Sequence, residues 1–298
     1  MTRVLVLGAG GMLGHKLCQM LPQMGFEVAA TARKPAEFYQ AHGELFSGVE
    51  LIGGVDATDF AGLEGAVRGW KPDAVINCIG IIKQLREAKN PIISIEINSL
   101  LPHRLAVLCG EMGARFIQIS TDCVFSGEKG AYSESDESDA RDLYGRTKFL
   151  GETIEDEPAA ITLRTSIVGR EISESKHGLF EWFFSQTSPP GNTISGFARA
   201  IYTGFTTAEM ARIMAMVIRE HPELSGVYQV ASEPINKFDL LGMVRDIMEL
   251  DIQIEPNREF VCDRSLVMDR FAEATGYAAP SWREMIEDFS RDCEIYEE

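Results

Sequence analysis

Tyr144 and Lys148 stand four apart in Leu143-Tyr144-Gly145-Arg146-Thr147-Lys148, and a helix over this run would put both on one face. A phenol ionises at about pH 10. A neighbouring ammonium favours the phenolate and lowers that value. Tyr144 could then give a proton to a carbonyl oxygen while a nicotinamide delivers hydride to the carbon. Lys148 would also hold the nicotinamide ribose. Upstream, Ile119-Ser120-Thr121-Asp122 closes an apolar run. In an open parallel sheet the ligand crevice lies at the carboxyl ends of the strands. Thr121 there either hydrogen-bonds the same carbonyl oxygen or ties down the strand end as a turn hydroxyl.

Such chemistry needs a dinucleotide close by. Gly8-Ala9-Gly10-Gly11-Met12-Leu13-Gly14 follows the apolar run 3–7 directly and opens an amphipathic run. Gly8 suits a tight turn, Gly11 the approach of backbone to a pyrophosphate, and Gly14 close packing of helix on strand. Met12 and Leu13 begin a helix whose free N–H groups would face the anion. The second strand ends in Thr31-Ala32-Arg33-Lys34, without the carboxylate that would bind a ribose 2′-hydroxyl. Arg33 suits a 2′-phosphate. NADPH is therefore the expected cofactor, with NADH the alternative, and Arg33 as a solvated surface charge stays open. Asp56, followed by Ala57, either accepts from the adenine amino group or caps the helix near Phe60.

The elements that must position these groups alternate. Strands are expected at 3–7, 27–31, 74–78, 115–120 and 161–164, and helices at 12–24, 60–70, 92–110 and 144–154. That rhythm predicts an α/β fold, a Rossmann-like doubly wound parallel sheet. After Val168 the rhythm breaks. Residues 185–195 read as a loop, 207–219 as a helix capped by Thr206 or Thr207, and 226–230 as one more strand. Residues 237–250 read as a helix, and the tail is mixed. The expected organisation is a cofactor domain over 1–168, with 226–231 returning to its sheet, and a smaller substrate-binding lobe over 169–298.

The chain has 298 residues, 45% of them hydrophobic, enough for one large domain or two unequal lobes. A net charge of -17 argues against nucleic acid, whose phosphates call for Lys and Arg. No stretch reads as a membrane span, and 3–7 is too short for a signal peptide. Cys18, Cys78, Cys109, Cys123, Cys262 and Cys293 form no Cys-x-x-Cys pair and no metal-ligand spacing. A cytoplasmic protein with reduced thiols and no metal is expected.

Gly8-x-x-Gly11-x-x-Gly14, Ser120-Thr121-Asp122 and Tyr144-x-x-x-Lys148, in this order, resemble an extended short-chain dehydrogenase/reductase. Ile119-Ser120-Thr121-Asp122-Cys123-Val124-Phe125-Ser126-Gly127, Tyr132-Ser133-Glu134, Gly151-Glu152 and Leu163-Arg164-Thr165-Ser166 are similar to the dTDP-4-dehydrorhamnose reductase family. The likeness continues more faintly through Gly226-Val227-Tyr228-Gln229-Val230-Ala231 and covers most of the chain. It implies NADPH-dependent reduction of the 4-keto group of a nucleotide-activated 6-deoxy sugar, for a polysaccharide or glycoconjugate precursor. It implies that Thr121, Tyr144 and Lys148 are catalytic, that Cys78, Ile79, Gly80 and Ser120 line the cofactor, and that Asn98 supports the Tyr-Lys pair. Thr121, Asp122, Ile167 and Arg264 would meet the sugar nucleotide. Arg199 and Arg258 are weaker candidates for its diphosphate. In many enzymes of this fold the helices 92–110 and 144–154 pair subunits, so a homodimer is the assembly to test.

Two positions depart from the family. Cys123 stands where Tyr is usual, and Ile167 where Trp is frequent. In the related GDP-fucose synthases a Cys at the first position works with a later His, and His177 precedes Leu179-Phe180-Glu181-Trp182-Phe183-Phe184 in a similar placement. A bifunctional epimerase/reductase using Cys123 and His177 is one alternative; a buried small thiol and a loop imidazole are the plainer readings of those residues. An NAD-retaining epimerase or dehydratase is a second alternative, although such dehydratases follow Thr-Asp with Glu. A non-catalytic regulatory subunit is a third, opposed by the presence of Thr121, Tyr144 and Lys148 together.

Overall fold

The computed structural model describes residues 1–153, 160–173 and 176–296. Its strands are β1 Arg3–Leu7, β2 Glu27–Thr31, β3 Val49–Ile52, β4 Ala74–Asn77, β5 Arg115–Thr121, β6 Ala160–Thr165, β7 Ile167–Val168, β8 Asn192–Phe197, β9 Ala200–Tyr202, β10 Phe205–Thr206, β11 Gly226–Gln229, β12 Ile235–Asn236, β13 Ile252–Asn257 and β14 Cys262–Asp263. Its α-helices are α1 Met12–Gln23, α2 Ala36–Gln40, α3 Phe60–Trp70, α4 Pro91–Ile95, α5 Leu101–Met112, α6 Leu143–Leu150, α7 Leu179–Ser185, α8 Thr207–Glu220, α9 Lys237–Ile247, α10 Asp269–Thr275 and α11 Trp282–Asp292.

Seven strands form one parallel sheet in the order β11-β6-β5-β4-β1-β2-β3. Val4 to Leu7 are fully buried because helices cover both faces. On one face Leu13, Leu17 and Leu21 of α1 meet Met210, Met214 and Val217 of α8. On the other, Leu63 and Val67 of α3 and Leu101, Leu105 and Leu108 of α5 close a second core. Each such buried aliphatic side chain contributes ~1.5–3 kcal/mol. The α/β, doubly wound architecture expected from the alternation is present. The strand order reverses between β1 and β4, so the crevice at their carboxyl ends is the ligand position.

β11 pairs with β6 at the sheet edge. The rest of the second half forms short sheets, β12-β9-β14, β13-β8 and β10-β7. The chain boundary at 168 does not divide the cores, since α8 lies beyond it and packs on α1. Thr206 caps α8, its hydroxyl accepting from the Glu209 amide at 3.3 Å.

Several expectations are corrected. β3 was absent from the reading: it is a short, half-exposed edge strand without a clear apolar run. The loop expected over 185–195 ends early, because Asn192 begins a strand paired along its length with β13. The helix expected over 144–154 runs from Leu143 to Leu150, stopped by Gly151, and Ile154 lies outside the described residues. So do Glu297 and Glu298. A stretch long and apolar enough to cross a membrane does exist, Pro91–Met112, continuous through a π-turn at Glu96–Leu100. Its inner side is core, with Leu101, Leu105, Leu108 and Cys109 buried against the sheet.

Candidate active site

The crevice begins at the glycine loop. Gly8 takes φ +92°, a region closed to most side chains, and its amide donates to the Thr31 carbonyl at 3.1 Å. A Cβ on Gly14 would overlap the Gly8 carbonyl oxygen, so only glycine lets α1 sit this close to the turn. Gly11 is the N-cap and brings no side-chain cap, which leaves the N–H groups of Met12 and Leu13 for a ligand. Cys78 and Ile79 close the other wall. The Cys78 amide donates to Leu7 at 3.0 Å, and Ile79 packs against Gly8. At the far end Arg33 is exposed beyond β2 and acts electrostatically on Asp56. The Asp56 carboxylate accepts from both the amide and the hydroxyl of Thr58, at 2.9 and 2.8 Å. Asp56 does not cap α3; Asp59 does, accepting from Gly62. Ala57 is half-buried in the same turn. An uncapped helix end behind two constrained glycines, with an exposed Arg and no carboxylate at the strand end, fits NADPH.

Asn98 sits in the π-turn before α5. Its amide oxygen accepts from the Ile81 amide at 2.8 Å, and its nitrogen donates to the Ile81 carbonyl at 3.0 Å and to the Thr147 hydroxyl at 3.3 Å. Asn98 thus fixes the Cys78-Ile79-Gly80 wall and α6 to one another without touching Tyr144. A Cβ on Gly80 would lie 3.5 Å from the Asn98 oxygen and 4.0 Å from Lys148 Nζ, which places the three together.

Tyr144 begins α6, which Asp142 caps by accepting from Gly145 at 2.8 Å. Desolvation in the cleft raises the Tyr144 phenol above its ordinary range, and the Thr121 hydroxyl near it opposes that rise. The expected lowering by Lys148 is corrected: Lys148 Nζ donates to the Ile119 carbonyl at 2.6 Å, and burial depresses its own pKa to about 8. Sharing a helical face did not bring ammonium and phenol into a bonded pair. The cation over the Tyr144 ring is Lys83, 5.5 Å from the centroid and paired with Asp142 at 2.7 Å. Sequence reasoning missed Lys83 because nothing local distinguishes it from a surface lysine.

Ser120 is corrected too. Its hydroxyl donates inward to Glu152 at 2.6 Å, in a buried cluster with Arg164, so its side chain does not face the cofactor crevice. Thr121 accepts from the Cys123 amide at 3.1 Å and donates to Asp122 at 3.0 Å. Cys123 is half-buried; burial, with Asp122 beside it, pushes its thiol up to about 12, while Lys83 and Arg264 pull the other way. Arg264 reaches this cluster from β14, its Nε donating to the Phe125 carbonyl at 2.8 Å. Ile167 lies half-buried in β7, paired with Phe205. Arg199 and Arg258 are exposed. The His177 amide donates to Glu171 at 2.9 Å, and the following Gly178 packs against Met12 at the start of α1. The charged groups acting on Cys123 are Asp122, Lys83 and Arg264, and His177 is not among them.

The depressed pKa of Lys148 has a measurable consequence. The unfolded chain holds this proton up to about pH 10.5, the folded one only to about 8. Stability therefore rises with pH across that window relative to Lys148→Met, and the penalty is fully present below pH 8. Activity should move the other way, with an alkaline limb in kcat/KM near pH 8 as the ammonium is lost. Parallel urea titrations and rate profiles over pH 6–10.5 (about the accessible range for such a group) check both signs.

Fold and crevice agree with what the chain is similar to. The family model described as RmlD substrate binding domain matches residues 1–294. A dTDP-4-dehydrorhamnose reductase of Streptomyces griseus is 34% identical over 151 residues, which are 50% of this chain and 43% of that protein. The probable low-salt glycan biosynthesis reductase Agl14 of Haloferax volcanii is 30% identical over 76% of this chain and 74% of its own. A crystal structure of dTDP-4-dehydrorhamnose reductase from Bacillus anthracis in complex with NADP superposes with TM-score 0.79 at 21% identity, covering 98% of this chain and 99% of that one. The chain belongs to the dTDP-4-dehydrorhamnose reductase family, within the extended short-chain dehydrogenase/reductases.

Proposed function

We propose that this protein is an NADPH-dependent reductase of the 4-keto group of a nucleotide-activated 6-deoxy sugar, working in the cytoplasm on a polysaccharide or glycoconjugate precursor. The observation that carries the reading is the Tyr144 phenol acted on by the Thr121 hydroxyl at the carboxyl end of β5, in one crevice with Lys148 and the glycine loop. NADPH supplies the hydride when bound. Residues 1–168, with 226–231, hold the cofactor, and 169–298 the sugar nucleotide. Met12 and Leu13 present their amides to its pyrophosphate, and Arg33 its 2′-phosphate. Tyr144, kept protonated at neutral pH, donates to the keto oxygen as negative charge develops there. Thr121 directs its hydroxyl to the same oxygen, and Lys148 holds the nicotinamide ribose. Arg264 serves the substrate diphosphate.

The test is NADPH oxidation with 4-keto-6-deoxy sugars on dTDP, UDP, GDP and CDP. Turnover with one donor names the nucleotide; proven NADPH binding without turnover on any of them overturns the reading. Epimerisation before reduction needs a base beside the sugar, and burial keeps the Cys123 thiol protonated. Cys123→Ser is therefore expected to give the wild-type stereoisomer at a rate within about threefold, the range of an uncharged contact. A lost epimer would establish the two-step reaction instead.

A homodimer is part of the proposal. Ile92, Ile95, Leu100 and Val107 on the 91–112 helix, with Phe149 and Leu150 on α6, are exposed apolar side chains on neighbouring helices. Sedimentation is expected to give twice the chain mass, and Val107→Glu with Leu150→Glu to give the monomer.

A further inference from the structure

Tyr202 is 8% exposed, and its phenol oxygen, buried, has no hydrogen-bond partner among the described residues. A buried hydroxyl left unpaired costs ~1–3 kcal/mol, so such groups are rare unless something else uses them. Its position is closely set. The ring lies 5.5 Å from that of Trp282, which is itself held by an indole N–H donated to the Glu233 carbonyl at 2.7 Å. The phenol oxygen occupies the space a Cβ on Gly204 would need, beside the Ser166 carbonyl and next to Ile167. Glycine at 204 is what admits the hydroxyl to this spot.

The small sheet then sets its direction. β9 and β14 run parallel, with Ala200 opposite Cys262 and Ile201 opposite Asp263, and β5 and β6 pair with Thr121 opposite Thr165, the residues just before Asp122 and Ser166. Cys262 and Arg264 both lie against Gly127. Alternation along a strand gives Ala200 and Tyr202 the same face. Asp122 and Tyr202 act on each other electrostatically without a bond between them. Asp122 is the neighbour of Thr121 and accepts from its hydroxyl at 3.0 Å.

We propose that Tyr202 and Asp122 together bind a hydroxyl of the sugar ring adjacent to the reacting carbonyl, Tyr202 donating to its oxygen and Asp122 accepting its proton. A sugar hydroxyl both accepts and donates, and a protonated phenol beside a carboxylate offers the matching pair. Tyr202 is then a specificity residue. A buried polar pair built for a hydroxyl rejects a sugar that lacks it, because both groups would remain unpaired. The inference rests on the sugar-nucleotide reading above and names the part of the sugar that the site reads.

Tyr202→Phe removes only the oxygen and keeps the ring on Trp282. Titration calorimetry with saturating NADPH would use dTDP-glucose and dTDP, or the UDP or GDP pair if that nucleotide binds more tightly. The expected result is an affinity for the nucleotide sugar about 5- to 10-fold weaker, with affinity for the free diphosphate, NADPH binding and Tm unchanged or Tm raised. Equal affinity of variant and wild type for the nucleotide sugar overturns this inference alone. Equal weakening for the free diphosphate also overturns it, since the hydroxyl would then serve the phosphates. Wild-type protein that binds none of these nucleotides overturns the sugar-nucleotide reading together with it.

Discussion

Tyr144→Phe should lower kcat/KM for the ketosugar by about 10³-fold, the middle of the range for loss of a positioned proton donor, while NADPH affinity stays within twofold, or about 0.4 kcal/mol. The expectation follows from what the phenol does and does not hold. The Thr121 hydroxyl acts on its oxygen, and desolvation keeps it protonated, the state required of a donor. Lys148 is anchored independently on the Ile119 carbonyl, and the Asn98 bonds to Ile81 and Thr147 fix the wall and the helix without it. Removing one oxygen should thus leave the crevice in place and delete the proton. A rate within threefold of wild type, or about 0.7 kcal/mol in barrier, would mean that another group protonates the ketone. Lys83, over the same ring, would be the one to examine next.

Glu152→Ala should destabilise the fold by ~3–5 kcal/mol. Glu152 and Arg164 are 4% and 5% exposed, joined by two bonds of 2.8 and 2.7 Å, and the Ser120 hydroxyl donates to the same carboxylate at 2.6 Å. Alanine would leave a guanidinium inside the protein with no counter-charge, where it cannot shed its proton. Glu152→Gln keeps acceptor and shape and should lose less. Glu152 also supports the charged form of Lys148. Its loss should therefore move the alkaline limb of activity below pH 8. Urea unfolding gives the first effect and the rate profile the second; a loss under 1 kcal/mol, about the value of an exposed pair, would show that water reaches the cluster.

The sequence determined those features whose cause is local. A continuous apolar run followed by Gly8, Gly11 and Gly14 can make little else than a strand, a turn and a helix whose bare end binds an anion, and the structure has that turn. The alternation up to Thr165 determined the parallel sheet, since each strand needs both faces covered. Tyr144, Lys148 and Thr121 were legible as a group from residue type and spacing. Where Tyr144, Lys148 and Ser120 find their partners was decided by the tertiary structure. Burial raised the phenol, a carbonyl on β5 took the ammonium, and Glu152 turned the Ser120 hydroxyl inward. Lys83 reaches the Tyr144 ring from the segment after β4, which Asn98 pins through Ile81. The same tertiary packing placed Gly178, the residue after His177, against Met12 at the start of α1. Desolvation and long-range pairing depend on which surfaces the fold brings together, and no spacing along the chain carries that information.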